Sequence, residues 1–417
     1  MKTIKLGSLI TISKGKKHTI TDMPSSQSKR VLGIDDLRND TLIRMTDDQG
    51  GVLACENDVL IAWDGANAGT IGYGKQGYIG STISRLRLHD KSKFYTPFIG
   101  IFLQSNFNYL RKTSTGATIP HISRNALESI LIPVFEYGDQ IRIATLLSKV
   151  ENLISRRREQ LKQLDELLKS VFLEMFGDPV RNEKGWEKVA CKDVVDILTG
   201  YPFKSDSYVD DPTQMRLCGG LIIDPSRIEW GKCNYWPNEI EEGLDRYILE
   251  SGDIVLAMDR PWISSGLKVG IINEYGAGSL LVQRTARLRG KGLNQFFLYQ
   301  HFRDHSFAQH CKPTETTVPH ISIKDIQTYQ LICPAISIQS QFANIVEKVE
   351  GIKFHYIQSL TELENLYGVL SQQGFSGKLD LSRVRLVQEG EPISMVSALC
   401  NSESLFQKET VAPPPMC

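Results

Sequence analysis

One phrase occurs twice in the chain. Residues 115–123 read TGATIPHIS and residues 314–322 read TETTVPHIS, 199 positions further on. At the same spacing Phe176 coincides with Phe375, and residues 149–151 (KVE) coincide with residues 348–350 (KVE). Upstream, residues 57–64 (NDVLIAWD) resemble residues 252–259 (GDIVLAMD). Because self-similarity at one spacing is the signature of a repeated structural unit, the sequence predicts a tandem duplication of a unit of about 190 residues.

Length and composition agree with two domains in a soluble chain. The 417 residues exceed what one typical hydrophobic core organises. There is no apolar run of the roughly 18 residues that a membrane span needs, and no secretory signal, which predicts a cytoplasmic protein without membrane contact. The eight cysteines are scattered without a C-x-x-C pair. This spacing argues against a zinc ribbon and against a disulfide framework.

Each repeat has two parts with different sequence patterns. Short apolar runs separated by turn residues predict strands and turns in its first part, whereas 139–176 and 337–372 have a helical apolar period. Gly368 and the following QQGFSG (372–377) predict that the second helix stops earlier than the first. The two apolar stripes are Val150, Ile154, Leu161, Leu164, Leu168, Val171 and Met175, and Val349, Ile352, Tyr356, Leu360, Leu363, Tyr367 and Leu370.

The sequence therefore predicts an α+β fold in which two long helices pair as an antiparallel intramolecular coiled coil. Two similar globular domains, here called the first and second heads, are expected at opposite ends of these helices, related by a pseudo-twofold axis. The predicted boundaries are 1–138 for the first head, 139–178 for the central helix, 179–336 for the second head, 337–380 for the C-terminal helix and 381–417 for a polar tail.

The doubled order of motifs resembles the specificity subunit of type I restriction-modification systems. The resemblance covers residues 1 to about 380. It rests on the head-helix-head-helix order, the T-x-x-T-x-P-H-I-S phrase, the Pro133 and Pro334 that close each head, and the Gln140 and Gln339 that open each helix in Gln-x-x-[Ile/Phe]-Ala.

This resemblance implies a non-catalytic protein with no cofactor of its own. Each head would be a target recognition domain that reads one half of a split site in double-stranded DNA. The helices would set the spacer and dock two methyltransferase subunits, which methylate adenine with S-adenosylmethionine. ATP-dependent translocase-nuclease subunits would complete the complex.

The repeated phrase supplies the first candidate DNA contacts, because hydroxyls and flexible backbone suit phosphates and base edges and nearby cations neutralise phosphates. His121 and His320 have two open interpretations, a DNA contact or a capped structural turn. The other candidates of this group are Arg111, Lys112, Thr115, Gly116 and Thr118 in the first head, and Lys312, Thr314, Thr316 and Thr317 in the second.

Further candidates lie in glycine-rich or basic segments of each head. Arginine or lysine is expected to pair with guanine, and asparagine or glutamine with adenine. The alternative is that these segments are β-hairpin turns with solvated tips. Because the segments differ between the heads, the predicted target is asymmetric. These candidates are Lys14, Lys16, Lys17, Arg30, Asn67, Lys75, Ser81 and Thr82, and Lys204, Arg216, Arg260, Trp262, Lys268, Gln283 and Arg284.

Three strings resemble catalytic or metal motifs. GTIGYGKQ (69–76) is close to a phosphate loop, but Gln76 replaces the hydroxyl that binds magnesium. DRPW (259–262) is similar to the Asp/Asn-Pro-Pro-aromatic motif of adenine methyltransferases, but Arg260 breaks it. His301 and His305 lie one helical turn apart, which two metal ligands would need, yet a surface helix is the favoured interpretation. A stand-alone adenine methyltransferase or nuclease, and a non-enzymatic DNA-binding regulator, remain the alternatives.

Overall fold

The computed structural model describes residues 1–39, 42–115, 120–225, 227–239, 241–311, 319–382 and 384. The chain forms two compact units, one made of Met1–Arg158 with the chain from Gln358 onward and the other of Glu159–Ile357. Each unit therefore holds one head and a part of both long helices. Nearly all of the predicted tail, 381–417, lies outside the described residues. None of the described helices is both long and apolar enough to cross a membrane.

The described residues of the first head form three sheets. The strands are β1 (Thr3–Lys5), β2 (Ile10–Lys14), β3 (Lys29–Leu32), β4 (Arg44–Thr46), β5 (Leu53–Ala54), β6 (Asp58–Ala62), β7 (Ile71–Tyr73), β8 (Gly77–Ile79), β9 (Ile83–Leu88) and β10 (Leu131–Pro133). One four-stranded sheet, with the order β2-β9-β6-β7, is antiparallel. The other has the order β4-β3-β8-β5 and includes the parallel pair β3-β8, and β1 pairs with β10. Its helices are α1 (Thr96–Ser105), α2 (Phe107–Lys112) and α3 (Arg124–Ser129), and the long helix α4 (Tyr137–Phe176) follows.

The second head begins with β11 (Lys188–Ala190). The second long helix, α9 (Ile336–Phe375), follows the head. Its remaining strands are β12 (Val195–Thr199), β13 (Met215–Cys218), β14 (Ile223–Asp224), β15 (Arg227–Ile228), β16 (Tyr235–Trp236), β17 (Ile254–Ala257), β18 (Trp262–Ile263), β19 (Gly266–Leu267), β20 (Val269–Ile271), β21 (Leu280–Leu281), β22 (Thr285–Gly290) and β23 (Gln330–Ile332). Its helices are α5 (Cys191–Val194), α6 (Gln295–Arg303), α7 (His305–Cys311) and α8 (Ile323–Thr328).

The two heads share one topology, which confirms the predicted duplication. The sheet β12-β22-β17-β20 repeats β2-β9-β6-β7, and the parallel pair β13-β21 repeats the parallel pair β3-β8. The pair β11-β23 likewise repeats β1-β10. The hairpins β14-β15 and β18-β19 belong to the second head and have no counterpart among the described residues of the first.

A buried carboxylate opens the central strand of each head. In the first head Asp58 is fully buried, and its oxygens accept hydrogen bonds from the Arg87 guanidinium at 2.7 Å and the Cys55 N–H at 2.9 Å. In the second, Asp253 accepts from Arg289 at 2.7 Å in the same way. Removing one partner of such a pair would leave a buried charge without compensation. The two aspartate–arginine pairs thus connect corresponding strands at the end of the sheet where the long helix begins.

The long helices have equal length, and the expected early stop of the second is wrong. Both span 40 residues, and Gly368 lies inside α9. The helix continues to Phe375, whose ring packs on Phe98 and Phe102 with centroids 5.6 and 4.9 Å apart. Glycine in a helix interior costs only about 1 kcal/mol relative to alanine, so this packing outweighs the local preference.

Within each unit the two helices run antiparallel. In the first unit Ile143 lies against Gly374, while further along α4 the Arg158 Nη2 is 2.6 Å from the Glu364 Oε1. Residue numbers that rise on one helix therefore fall on the other.

The second unit repeats this arrangement. Phe176 packs on Phe342 with ring centroids 5.6 Å apart, and the Lys353 Nζ lies 3.1 Å from the Asp165 Oδ1. The antiparallel pairing predicted from the apolar stripes is present in both units.

A buried glutamine ties each head to its helix. The Gln140 Oε1 accepts from the Tyr95 N–H at 2.9 Å, and its Nε2 donates to the Lys93 carbonyl at 2.8 Å. The Gln339 Oε1 accepts from the Asn294 N–H at 2.9 Å, and its Nε2 donates to the Pro334 carbonyl at 2.8 Å. Both side chains are shielded from solvent. The glutamine of the repeated Gln-x-x-[Ile/Phe]-Ala motif therefore has a structural role, connecting the head to the long helix.

His301 corrects the expectation of a surface helix. It is fully buried, between the rings of Phe172 and Phe297, and its Nδ1 lies 3.2 Å from the Tyr329 hydroxyl. His305, four residues further on, is the first residue of a separate helix, α7, and is exposed. Among the described residues no group of His, Cys, Asp and Glu side chains is arranged to hold a metal ion. His301 is a core residue where α6 packs on α4.

We predict that His301 makes the second unit sensitive to acid. Burial lowers the pKa of His301 to about 4, whereas an unfolded histidine titrates near 6.5. Between these pH values His301 is protonated in the unfolded chain but neutral in the folded chain. The free energy of unfolding therefore falls as the pH drops through this window, by up to about 3 kcal/mol.

The measurement is urea denaturation of the wild type and of His301→Phe at several pH values from 7 to 4, followed by tryptophan fluorescence. Four of the five tryptophans lie in the second unit, so the signal reports mainly on it. The wild type should lose more stability than the variant on acidification. Equal losses would contradict the prediction.

Candidate nucleic-acid interface

In each head many of the residues predicted to contact DNA lie at one end of a four-stranded sheet, which is β2-β9-β6-β7 in the first head and β12-β22-β17-β20 in the second. In the first head β2 ends at Lys14, Thr82 directly precedes β9, and Asn67 lies in the loop that precedes β7. Since neighbouring strands are antiparallel, these positions fall at the same end, here called the loop end. The Asp58–Arg87 pair and the connection to α4 lie at the opposite end.

In the first head an aspartate at the loop end binds the histidine of the repeated phrase. The Asp64 Oδ1 lies 2.5 Å from the His121 Nδ1, and the Asp64 Oδ2 lies 2.8 Å from the Lys14 Nζ. The backbone supports the contact, because the Gly65 N–H donates to the Pro120 carbonyl at 3.0 Å. We call Asp64, His121 and Lys14 the first clamp. It joins three loops that are distant in sequence.

The second head has a matching clamp of Asp259, His320 and Arg284. The His320 Nδ1 lies 2.7 Å from the Asp259 Oδ1, and the Arg284 guanidinium donates to the other oxygen. The Arg260 N–H donates to the Pro319 carbonyl at 3.0 Å, as the Gly65 N–H does to Pro120 in the first head. The carboxylate and imidazole are thus the same in both heads, while the cation differs.

The clamps shift the pKa of both carboxyl groups in the same direction. Partial burial acts to raise the pKa of Asp64, but hydrogen bonds from Lys14 and His121 outweigh it and hold the pKa below its usual value. The pKa of Asp259 is lowered in the same way by Arg284 and His320 against the effect of burial. Both aspartates therefore stay ionised near neutral pH and keep their cationic partners in place.

The last four residues of the repeated phrase, Pro-His-Ile-Ser, each have a structural role. The proline carbonyl accepts a backbone hydrogen bond, the histidine enters the clamp, and the isoleucines Ile122 and Ile321 are buried in the head core. Ser123 and Ser322 accept N-cap hydrogen bonds from the first turns of α3 and α8. The capped turn is thus present. The histidine side chains are still about half exposed, 50% and 52%, so their contact with DNA stays a prediction.

The other candidates of the first head have varied surroundings. The Arg111 Nη1 donates to the Ala66 carbonyl at 2.5 Å, and the Asn67 Oδ1 accepts from Arg38 at 2.9 Å. Arg30 forms an ion pair with Asp36 at 2.6 Å, and Lys75 is buried. The exposed candidates are Lys16, Lys17, Ser81, Thr82, Lys112 and Thr115. Gly116 and Thr118 lie outside the described residues.

In the second head five of the candidates line one cleft of about 890 Å³ at the loop end. The Lys268 Nζ donates to the Gly220 carbonyl on the cleft wall, and burial lowers the pKa of this lysine. The five are Arg260, Lys268, Gln283, Arg284 and His320.

The remaining candidates of the second head lie outside this cleft lining. Arg216 stacks on Tyr275 at 4.1 Å, Trp262 packs against the core, and Lys204 is exposed. The candidates Lys312, Thr314, Thr316 and Thr317 lie outside the described residues.

The predicted DNA contacts do not include the two aspartates that hold the loop ends together. The signal was available, because Asp64 and Asp259 end the matched strings NDVLIAWD and GDIVLAMD. Lys232 and Asn234, which also line the cleft, were missed as well. Both lie in the segment that directly precedes β16, outside the strings matched between the two heads, so the repeat pattern offers no signal for them.

Comparisons with known proteins agree with this architecture. The family model described as type I restriction modification DNA specificity domain matches residues 1–164 and again 183–365. The MjaVIII type I restriction enzyme specificity subunit of Methanocaldococcus jannaschii is 26% identical over 375 residues, which cover 84% of this chain and 86% of that protein. The EcoAI specificity subunit of Escherichia coli is 27% identical over 231 residues, 54% of this chain and 38% of that protein.

A solved structure has the same fold. The crystal structure of the type I restriction-modification S subunit from M. genitalium matches with a TM-score of 0.54 at 14% identity, covering 90% of this chain and 96% of that one. The double family match, the repeated topology and the doubled motif order all lead to one conclusion: this chain belongs to the family of type I restriction-modification DNA specificity proteins.

Proposed function

We propose that this chain is the DNA-recognition subunit of a type I restriction-modification complex, in which each head reads one half of a split, asymmetric site in double-stranded DNA. The observation that carries the proposal is the pair of clamps. Two heads of one topology present the same Asp-His pair at the loop end, surrounded by different side chains. A shared frame with different surroundings suits two half-sites of different sequence.

The charges at the loop ends support a DNA partner. Lys16, Lys17 and Lys112 are exposed in the first head, and the cleft of the second head is lined by Lys232 and Arg260. Such side chains neutralise phosphates and position a protein on the duplex. Gln283 is exposed in the same cleft and has the amide chemistry that pairs with adenine.

The long helices support a role in spacing and docking. Phe354 and Ile357 on α9 are 67% and 52% exposed and lie one turn apart. Large apolar side chains grouped on a helix surface mark a protein interaction site. In this proposal the helices set the spacer between half-sites and bind two adenine methyltransferase subunits that use S-adenosylmethionine. ATP-dependent translocase-nuclease subunits join the same complex.

Catalysis belongs to the partners in this proposal, and the motif-like strings support that assignment. A phosphate loop must lead from a strand into a helix, whereas residues 69–76 contain β7 and lead into β8. In DRPW, Arg260 stands where the methyltransferase motif has a proline, and its guanidinium lines an open cleft. A stand-alone enzyme therefore lacks support in both segments.

Methylation-aware sequencing tests the proposal. We expect cells that express this chain together with a cognate methyltransferase subunit to carry a new adenine-methylated motif made of two different half-sites and an unspecified spacer. Cells with either subunit alone are the controls and should lack it. A purified complex of the two subunits that yields no motif would refute the proposal.

We predict that Asp259→Asn weakens DNA binding, although it removes a negative charge from the loop end. The reason is that the carboxylate holds His320 and Arg284 in place, and the neutral amide holds them less well. The measurement is the affinity of the full chain for the duplex identified above, with Glu250→Gln as the matched control. Glu250 is an exposed carboxylate at the opposite end of the same sheet. Tighter binding by Asp259→Asn would show a purely repulsive role for this carboxylate.

We predict that Phe354→Glu disrupts docking of the methyltransferase subunit without unfolding the chain. Burying a new charge in an apolar interface opposes association, while the exposed position leaves the fold unaffected. Co-purification with the tagged methyltransferase subunit should fall at least tenfold. His355→Glu, the exposed neighbour on another face of α9, is the control and should co-purify normally. Equal recovery of both variants would place the docking surface elsewhere.

A further inference from the structure

Arg260 has a backbone conformation that arginine rarely adopts. Its φ is 45°, in the left-handed region, and it precedes Pro261. The residue before a proline prefers extended backbone, so the position is unfavourable for two reasons. Only two other non-glycine residues of the described chain have positive φ, and one of them is Arg284 of the second clamp. Strained backbone that concentrates at one place points to function there.

In the first head a glycine has the left-handed backbone conformation at the equivalent position. Gly65 follows Asp64 as Arg260 follows Asp259, and its φ is 91°. The N–H groups of both residues donate to the proline carbonyl of the repeated phrase at 3.0 Å. The fold thus requires a left-handed residue after the clamp aspartate, and glycine adopts that conformation without strain.

Among the described residues, no hydrogen bond or ion pair of the Arg260 side chain offsets the strain. The residue is exposed, and the described part of the chain offers its guanidinium no hydrogen-bond or ion-pair partner. The neighbouring cations differ in this respect, since Arg284 binds Asp259 and Lys268 binds the Gly220 carbonyl. A free guanidinium offers five N–H donors in a planar fork, which matches phosphate oxygens and the guanine edge.

The location is suited to a duplex. Arg260 lines the loop-end cleft beside Gln283, and the hairpin β18-β19 follows it directly. Ile263, near the tip of the hairpin, is exposed. A two-stranded ribbon of this kind fits the major groove, where arginine makes its most frequent base contact.

We propose that Arg260 is a DNA-contacting residue with which the second head binds its half-site, through a phosphate or a guanine edge, and that the first head lacks this contact because glycine occupies its equivalent position. The inference rests on the function proposed above. It assigns to one residue a difference between the two heads.

The test compares the full-length wild type with Arg260→Gly, Arg260→Lys and the control Lys291→Ala. Arg260→Gly restores the residue of the first head and relieves the strain, so its urea midpoint should equal or exceed that of the wild type. Lys291 is an exposed lysine just after β22, at the opposite end of the sheet. The probe is a random-sequence duplex library, selected and sequenced at several salt concentrations.

We expect Arg260→Gly to bind the selected duplexes about fivefold to hundredfold more weakly and Lys291→Ala to bind normally. If Arg260 contacts a phosphate, Arg260→Lys retains most of the affinity. Arg260→Gly then weakens binding to all sequences alike and reduces the slope of the logarithm of the binding constant against the logarithm of the salt concentration by about one. For a guanine contact, Arg260→Gly loses selectivity at one position of one half-site, and Arg260→Lys loses part of it because the ammonium group lacks the planar fork of the guanidinium.

The outcomes separate this inference from the function on which it rests. If the wild type selects a split motif and Arg260→Gly matches it in affinity, salt dependence and sequence, the role of Arg260 is refuted and the proposed function stands. If the wild type selects no sequence and binds no duplex, both are refuted.

Discussion

A buried glutamine at the first turn of each long helix is the constraint on which each unit depends. An amide side chain shielded from water must satisfy its donors and acceptors within the protein. Gln140 and Gln339 do so by bonding backbone groups of the head and of the segment that enters the helix. These directional bonds allow one arrangement of head and helix, which apolar packing alone would specify less precisely. The buried carboxylates of Asp58 and Asp253, paired with the partly exposed Arg87 and Arg289, reinforce the same end of each sheet.

Anchoring one end of the sheet leaves the other end free to vary. At the loop end the two heads keep an aspartate and a histidine, and these hold together loops that are remote in sequence. The remaining side chains differ, as do the hairpins β14-β15 and β18-β19 of the second head. Duplication supplies two copies of a stable frame, and divergence beyond the clamp gives each copy its own surface. This is the organisation that reading two unlike half-sites requires.

The contrast between Arg260 and Gly65 shows how backbone geometry separates structural from functional demands. Both positions have the same left-handed conformation and the same hydrogen bond. Glycine satisfies the geometry alone, whereas arginine satisfies it with strain and adds a guanidinium that has no hydrogen-bond or ion-pair partner in the described part of the chain. Comparing two repeats of one chain thus provides an internal reference that a single domain lacks.

The sequence by itself determined the duplication, the two helices, their antiparallel pairing and the family, because these depend on periodicity and on motif order at one spacing. Local propensity misled where packing decides: Phe375 keeps α9 helical beyond Gly368, and the aromatic rings around His301 bury a histidine that its neighbours in sequence suggested was exposed. Only the tertiary structure paired Asp64 with His121 and Asp259 with His320, since the partners are 57 and 61 residues apart and meet through strand order. The same holds for Arg260, whose residue type was visible in the sequence but whose strained backbone and exposed position in the cleft are properties of the folded chain.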